Sequence, residues 1–225
     1  MAAGTHAVAG RVRPVVIRTL GCKVNSYESE QILERLVRTG RYAAAAGGEA
    51  ELVIVNSCTV TREADRQTRQ EIRRSVRDNP NALVVVTGCY AEMDAAACSE
   101  VDGVDLVVGN ALKLRIPELL ARFEAGELPR IVTPDDAAEL LGLPDLLLSG
   151  FAERARAFVQ IQQGCDQGCT FCIIHRARGA SRSIAPDAIV RRGATAGRRG
   201  LSQNSSCAES ISAPGVAISP QATTS

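Results

Sequence analysis

The hydrophobic pattern along the chain alternates between short continuous apolar runs and longer stretches with helical spacing. Residues 15–20 (Val-Val-Ile-Arg-Thr-Leu) read as a strand, followed by a helix with apolar positions at Ile32, Leu33, Leu36 and Val37. Asn25 with Glu28 three residues later resembles a capping box, and Gly40 is a natural stop. Leu52-Val53-Ile54-Val55 is a run of the buried-strand type, ahead of a helix from Arg62 to Arg77 closed by Asp78-Asn79-Pro80. Ala82 to Val86 and then Leu106-Val107-Val108 repeat the strand signal. The first leads into an Ala-rich helical segment, the second into a helix carrying Leu112, Leu114, Ile116, Leu119, Leu120 and Phe123. Strands alternating with helices predict an α/β fold with a parallel, doubly wound sheet.

After residue 125 the pattern weakens. Gly126, Pro129, Pro134, Pro144 and Asp135-Asp136 mark residues 126–150 as a linker, in which the apolar Leu146-Leu147-Leu148 has no evident packing partner. A second domain is expected from 151 to 190, opening on a strand at 157–162 and its following loop. From 191 to 225 an Arg/Gly stretch passes into Ser/Ala-rich sequence without apolar periodicity, the composition of a disordered tail.

Composition narrows the function classes. In 225 residues, 45% hydrophobic, the formal net charge is +1, so any polyanion site is local rather than global. Of the 26 basic residues only Lys23 and Lys113 are lysines. No run approaches a membrane span and the N-terminus lacks an apolar signal region, which predicts a cytoplasmic protein. In that setting eight cysteines point to metal or redox chemistry rather than disulfides.

The cysteines fall into two sets. Cys165, Cys169 and Cys172 form a C-x3-C-x2-C array directly behind the strand at 157–162, a ligand set for a metal or an iron–sulfur cluster. A zinc knuckle or a structural thiol cluster is the alternative. Cys22, Cys58 and Cys89 each follow a predicted strand, and the carboxyl ends of parallel strands share one rim, where open α/β sheets place their ligands. Singly, each fits a buried free thiol equally well; the repetition at three strand ends favours ligands. Cys98, in Ala95-Ala96-Ala97, reads as a packed thiol and Cys207 as an exposed one.

The array Cys165-x3-Cys169-x2-Cys172, with Phe171 before its last cysteine, resembles the radical S-adenosylmethionine (SAM) signature. Thr19 to Glu30, Val55 to Thr61 and Val86 to Ala91 are similar to the N-terminal domain of the methylthiotransferase family. The resemblance covers roughly residues 14–185. The form Gly21-Cys22-Lys23-Val24-Asn25-x-Tyr27-Glu28-Ser29 looks most like the branch that methylthiolates C2 of N6-threonylcarbamoyladenosine beside the tRNA anticodon. It implies two [4Fe-4S] clusters. Cys165, Cys169 and Cys172 would hold the cluster whose open iron chelates SAM and whose electron cleaves it to a 5′-deoxyadenosyl radical. Cys22, Cys58 and Cys89 would hold an auxiliary cluster bearing the sulfur to be transferred. It also implies a tRNA substrate and a reductant protein as partners.

Other residues carry weaker signals. Arg62, Arg66, Arg69 and Arg73 share a helical stripe that suits tRNA phosphates or, more simply, a solvated face. Tyr27 and Tyr90 follow cluster cysteines and fit core or rim packing at least as well as a substrate border. His175 replaces the proline common in the family at that point and reads as a surface residue. Residues 14–125 match the family's N-terminal domain, whereas 151–190 supply only the first βα unit of a radical SAM β/α barrel, which needs about 200 residues or more. The expectation is therefore a truncated or frameshifted copy, either an enzyme by descent or a non-catalytic remnant that binds a cluster or a partner.

Overall fold

A computed structural model describes residues 11–45, 50–140 and 158–184, with isolated positions beyond, including 206–208. The first part is a six-stranded parallel sheet: β1 (Arg13–Thr19), β2 (Tyr42–Ala44), β3 (Leu52–Ser57), β4 (Leu83–Gly88), β5 (Leu106–Val108) and β6 (Ile131–Val132). Its order is β2-β1-β3-β4-β5-β6. The helices are α1 (Lys23–Arg38), α2 (Arg62–Asp78), α3 (Cys89–Met93), α4 (Ala95–Ser99) and α5 (Ile116–Glu124).

The continuous apolar runs are explained by burial on both faces. All six residues of β3 are buried, and successive side chains go to opposite sides. Leu52 and Ile54 join Ile32 and Leu36 of α1 and Leu119 and Leu120 of α5 in one core. Val53 and Val55 join Ile72 of α2, Tyr90 of α3 and Cys98 of α4 in the other. Cutting back a fully enclosed side chain such as Ile72 costs about 2–5 kcal/mol.

Local signals set the helix ends unevenly. α2 starts on Thr61, whose hydroxyl accepts from the Ala64 amide at 3.1 Å, with Glu63 and Asp65 in the first turn. α1 starts instead on Cys22 without a side-chain cap, and the expected capping box does not form. Asn25 and Glu28 are 1% exposed and turn inward to other partners. Gly40 ends the segment as expected, at φ +71°. The Ala-rich helix is split, because Asp94 caps α4 by accepting from the Ala97 amide at 3.1 Å.

Residues 126–140 are not a free linker. β6 extends the sheet beside β5, and Leu128, Val132 and Ala137 enter the core shared with α5. Pro and Gly marked turns here, but two strand residues are too short a run to show periodicity. Leu146-Leu147-Leu148 lies outside the described residues.

The expected strand at 157–162 is broken at Ile161 into β7 (Phe158–Gln160) and β8 (Gln162–Gln163). β8 pairs antiparallel with β9 (Arg182–Ser183), and between them runs the cysteine loop followed by α6 (Ile174–Ala177). β10 (Ser206–Ala208), within the stretch expected to be a disordered tail, lies parallel to β7; most of 191–225 lies outside the described residues.

Candidate metal centre

β1, β3 and β4 are neighbours in the sheet, and their carboxyl ends deliver Cys22, Cys58 and Cys89 to one rim. In a sheet of this order the direction of winding reverses between β1 and β3, the crevice where such folds take ligands. Cys22 and Cys58 stand on its two sides. Cys22 is exposed, whereas Cys58 and Cys89 are buried.

The loops are pinned from beneath by hydrogen bonds. The Asn25 amide donates to Leu20 O at 2.8 Å and Ser57 O at 2.9 Å, tying together the two loops that carry Cys22 and Cys58. Asn56 donates to Asn25 O at 2.9 Å and Ser29 Oγ at 3.0 Å. The Ser57 hydroxyl donates to Thr87 O at 2.5 Å and accepts from the amides of Tyr90 at 3.1 Å and Ala91 at 3.2 Å, fixing the turn that carries Cys89. Thr68 of α2 closes the third side, donating to Cys58 O at 2.9 Å and accepting from Cys58 N at 3.3 Å.

Two glycines are required by the approach of these loops. Gly21 has φ +91°, and a Cβ there would stand 2.5 Å from Cys58 Sγ. Gly88, at φ +94°, would place one 2.5 Å from Ser57 O. Both positions favour glycine for conformation and space alike.

Burial pushes the Cys58 thiol above its ordinary pKa, and the nearby Cys89 and Cys22 add to this. A bound cation reverses that sign, since a coordinating thiol is deprotonated outright. No three His, Cys, Asp or Glu side chains among the described residues close round a single ion. A cluster that spreads its thiolates over separate irons does not need them to. The rim also contains buried polar atoms without a hydrogen-bond partner among the described residues: Asn56 Oδ1, Thr87 Oγ1 and Asn110 Oδ1. Soft donors on a polar floor that the polypeptide leaves partly unsatisfied fit an iron–sulfur group.

The second triplet has a different setting. Cys165 is buried and its amide donates to Gly179 O at 3.1 Å, Cys172 is half-buried, and Cys169 is exposed. The loop is closed by its own return: Cys172 N donates to Cys169 O at 3.0 Å, Gln167 N to Cys165 Sγ at 3.4 Å, and Ser181 N to Asp166 Oδ1 at 2.8 Å. Phe171 is 91% exposed and packs on nothing in the described structure. Gly164, at φ +79°, lies against the Gly179 and Ala180 carbonyls with no room for a side chain. Three thiols within one closed turn fit a cluster in donor type and spacing.

Between the two triplets lies a buried polar bridge that the sequence did not announce. Arg178, 4% exposed, donates to Glu28 Oε1 at 2.8 Å, Glu28 Oε2 at 3.1 Å and Asn25 Oδ1 at 2.7 Å. Lys113, 0% exposed, contacts Glu28 Oε2 at 2.5 Å. Gln163 donates to Glu28 Oε1 at 3.3 Å. Asn110 donates to Ala177 O and reaches Cys89 Sγ at 3.7 Å. Burial alone would push the Glu28 carboxyl up, but Lys113 and Arg178 together hold it below the ordinary range. Burial pulls the Lys113 ammonium down despite Glu28. It opposes the Arg178 charge too, but the Glu28 carboxylate outweighs it and raises that pKa. The available signals were Lys113, one of two lysines and set in an apolar stretch, and Glu28, whose capping role was a misreading.

The remaining candidates divide. Tyr27 and Tyr90 are 2% and 5% exposed, hence packing residues. Cys98 is fully enclosed and its thiol is pushed up to about 12 by burial. His175 is half-buried with Nδ1 enclosed and unpartnered, not a freely exposed histidine. Cys207 lies in β10, and its side chain is outside the described residues. On the α2 stripe, Arg66 pairs with Glu63 at 2.6 Å and Arg69 donates to Tyr90 OH at 3.2 Å, while Arg73 lines a cleft with Arg69 and Arg77. The stripe is thus partly neutralised. Among the described residues no helix is long and apolar enough to cross a membrane.

Comparison with known proteins shows what the chain is similar to. Residues 14–109 match the uncharacterized protein family UPF0004. The threonylcarbamoyladenosine tRNA methylthiotransferase MtaB of Bacillus subtilis is 36% identical over 177 residues, 79% of this chain and 39% of that protein. MtaB of Rickettsia prowazekii is 37% identical over 174 residues, 77% of this chain and 38% of that protein. A tRNA-2-methylthio-N(6)-dimethylallyladenosine synthase of Sphingopyxis alaskensis is 34% identical over 169 residues, 74% of this chain and 37% of that protein. The chain spans about two fifths of the length of these curated relatives. Among solved structures, the radical SAM methyltransferase TsrM of Kitasatospora setae superposes with a TM-score of 0.62 at 15% identity, over 88% of this chain and 48% of that one, a likeness of fold. Over the stretch it shares with its relatives, the chain belongs to the tRNA methylthiotransferase family.

Proposed function

We propose that the chain carries the two-cluster part of a tRNA methylthiotransferase acting at C2 of N6-threonylcarbamoyladenosine beside the anticodon. The observation that carries this reading is the gathering of Cys22, Cys58 and Cys89 at the carboxyl ends of three adjacent strands, with a second closed triplet joined to the same domain through Arg178. Cys165, Cys169 and Cys172 would hold the [4Fe-4S] cluster that chelates SAM, and Cys22, Cys58 and Cys89 the auxiliary one. When bound, the pair supplies reductive SAM cleavage and the sulfur to be transferred, and a separate reductant protein provides the electron.

The polypeptide contributes placement. Asn25, Asn56, Ser57 and Thr68 fix the three rim loops, and the Glu28–Arg178 bridge sets the second triplet beside them. The MtaB relatives favour the threonylcarbamoyl substrate, while the Sphingopyxis protein keeps a dimethylallyl substrate as the competing reading.

Anaerobic reconstitution with iron and sulfide, followed by Mössbauer spectroscopy, tests the assignment. The wild-type chain is expected to hold two [4Fe-4S] clusters, and alanine replacement of either triplet is expected to leave one. Unchanged iron content in either variant would refute the ligand assignment. Formation of 5′-deoxyadenosine from SAM separates an enzyme from a module that only binds clusters. Nucleoside mass spectrometry of modified tRNA then distinguishes the two substrates.

A further inference from the structure

Burying charge in a protein is costly unless it is paired, and the bridge between the triplets is not balanced. Lys113 and Arg178 face one carboxylate, Glu28, and all three side chains are at most 2% exposed. Glu92, an acid linked to the network through Asn110, accepts from Asn110 N at 2.6 Å but is itself exposed. Lys113 Nζ is in ionic contact with Glu28 Oε2 at 2.5 Å. The group therefore holds one surplus positive charge.

The surplus lies against the cysteine rim. Arg178 bonds Asn25, whose amide bonds the carbonyls of Leu20 and Ser57 within the Cys22 and Cys58 loops. Asn110 bonds the backbone just before Arg178 and also reaches Cys89 Sγ. A [4Fe-4S] core of charge two plus on three thiolates carries one net negative charge, opposite to the surplus.

We propose that Glu28, Lys113 and Arg178 are positioning residues that form a buried counter-charge for an anionic iron–sulfur centre on Cys22, Cys58 and Cys89. This rests on the ligand assignment above. Net charge near a cluster is one of the determinants of its reduction potential. A fixed positive surplus favours the reduced, more negative state, so the bridge raises the potential of this centre. Because Arg178 comes from the segment that carries the second triplet, docking of that segment completes the electrostatics of the first.

The test uses the full chain with Cys165, Cys169 and Cys172 all replaced by alanine, so that only the Cys22, Cys58 and Cys89 centre remains. Its midpoint potential is read by dye-mediated titration and electron paramagnetic resonance of the reduced cluster. Lys113→Gln and Arg178→Gln are expected to lower the potential and Glu28→Gln to raise it, while Arg178→Lys, which keeps the charge, stays near the parent. Opposite signs for the cation and carboxylate variants are what a merely structural role would not produce. Equal potentials, or shifts of one sign in all three, overturn the proposal while leaving the ligand assignment intact. A parent that assembles no [4Fe-4S] cluster overturns both. Should Lys113→Gln fail to fold by circular dichroism, the signs for Glu28→Gln and Arg178→Gln decide.

Discussion

The two cysteine triplets offer the same ligand chemistry on opposite kinds of support. Cys22, Cys58 and Cys89 come from three strands of one sheet, and hydrogen bonds from Asn25, Ser57 and Thr68 hold their loops. Cys165, Cys169 and Cys172 occupy one turn between two-residue strands, with Cys169 and the neighbouring Phe171 exposed. The first site is stabilised by the domain's whole core; the second by a few local bonds and the Arg178 bridge. A short motif therefore advertises itself without the fold, whereas a rim site needs the fold but is held more rigidly by it.

That contrast can be broken most severely at the ligands. Cys58→Ser and Cys89→Ser are expected to abolish one cluster's worth of iron and to leave the Cys165 loop loaded, as read by iron analysis and Mössbauer spectra. Equal loss at both sites would show that the triplets do not assemble independently.

Next in size is the bridge. Arg178→Ala removes the bonds to Glu28 and Asn25 and opens the contact to the 158–184 segment while Lys113 still faces the carboxylate, and a lost hydrogen bond between charged groups costs about 1.5–3 kcal/mol. Hydrogen exchange should rise across β8, the cysteine loop and β9 while the six-stranded sheet stays protected. Protection unchanged in that segment would mean it is held by something other than Arg178.

Gly88→Ala sharpens the rigidity of the first site. A side chain there faces both φ +94° and the Ser57 carbonyl, and a strained backbone of this kind costs about 1–3 kcal/mol. Urea denaturation should show the loss; at Gly40, where a Cβ meets nothing within 4 Å, alanine suffers only from φ.

The acid limb of stability reports on Glu28. Lys113 and Arg178 hold its carboxyl below the usual carboxylate range, so its stabilisation is fully present above that range and fades as pH falls through the lower folded-state value. Glu28→Gln should flatten this part of the pH–stability curve. The smallest effect is at Phe171→Ser, expected to stay within about 0.5 kcal/mol because the ring is exposed.

Much of this molecule was legible beforehand for a physical reason. Buried parallel strands such as β3 must be apolar throughout, so their runs show as plainly as the C-x3-C-x2-C spacing. Asn25 and Glu28 misled because Asn-x-x-Glu also satisfies a helix start, and only long-range partners drew them inward. β6 escaped notice since two residues carry no period.

The sequence by itself determined the alternating strand and helix units, the helix beginning at Arg62 and the two sets of cysteines, because propensity, apolar runs and local spacing act over a few residues. Only the tertiary structure decided the strand order that seats Cys22 and Cys58 across one crevice. It alone brought Glu28, Lys113 and Arg178 into a single buried group, with Arg178 separated from Glu28 by 150 residues. Contacts at such separation depend on which elements become neighbours, and no local pattern encodes that.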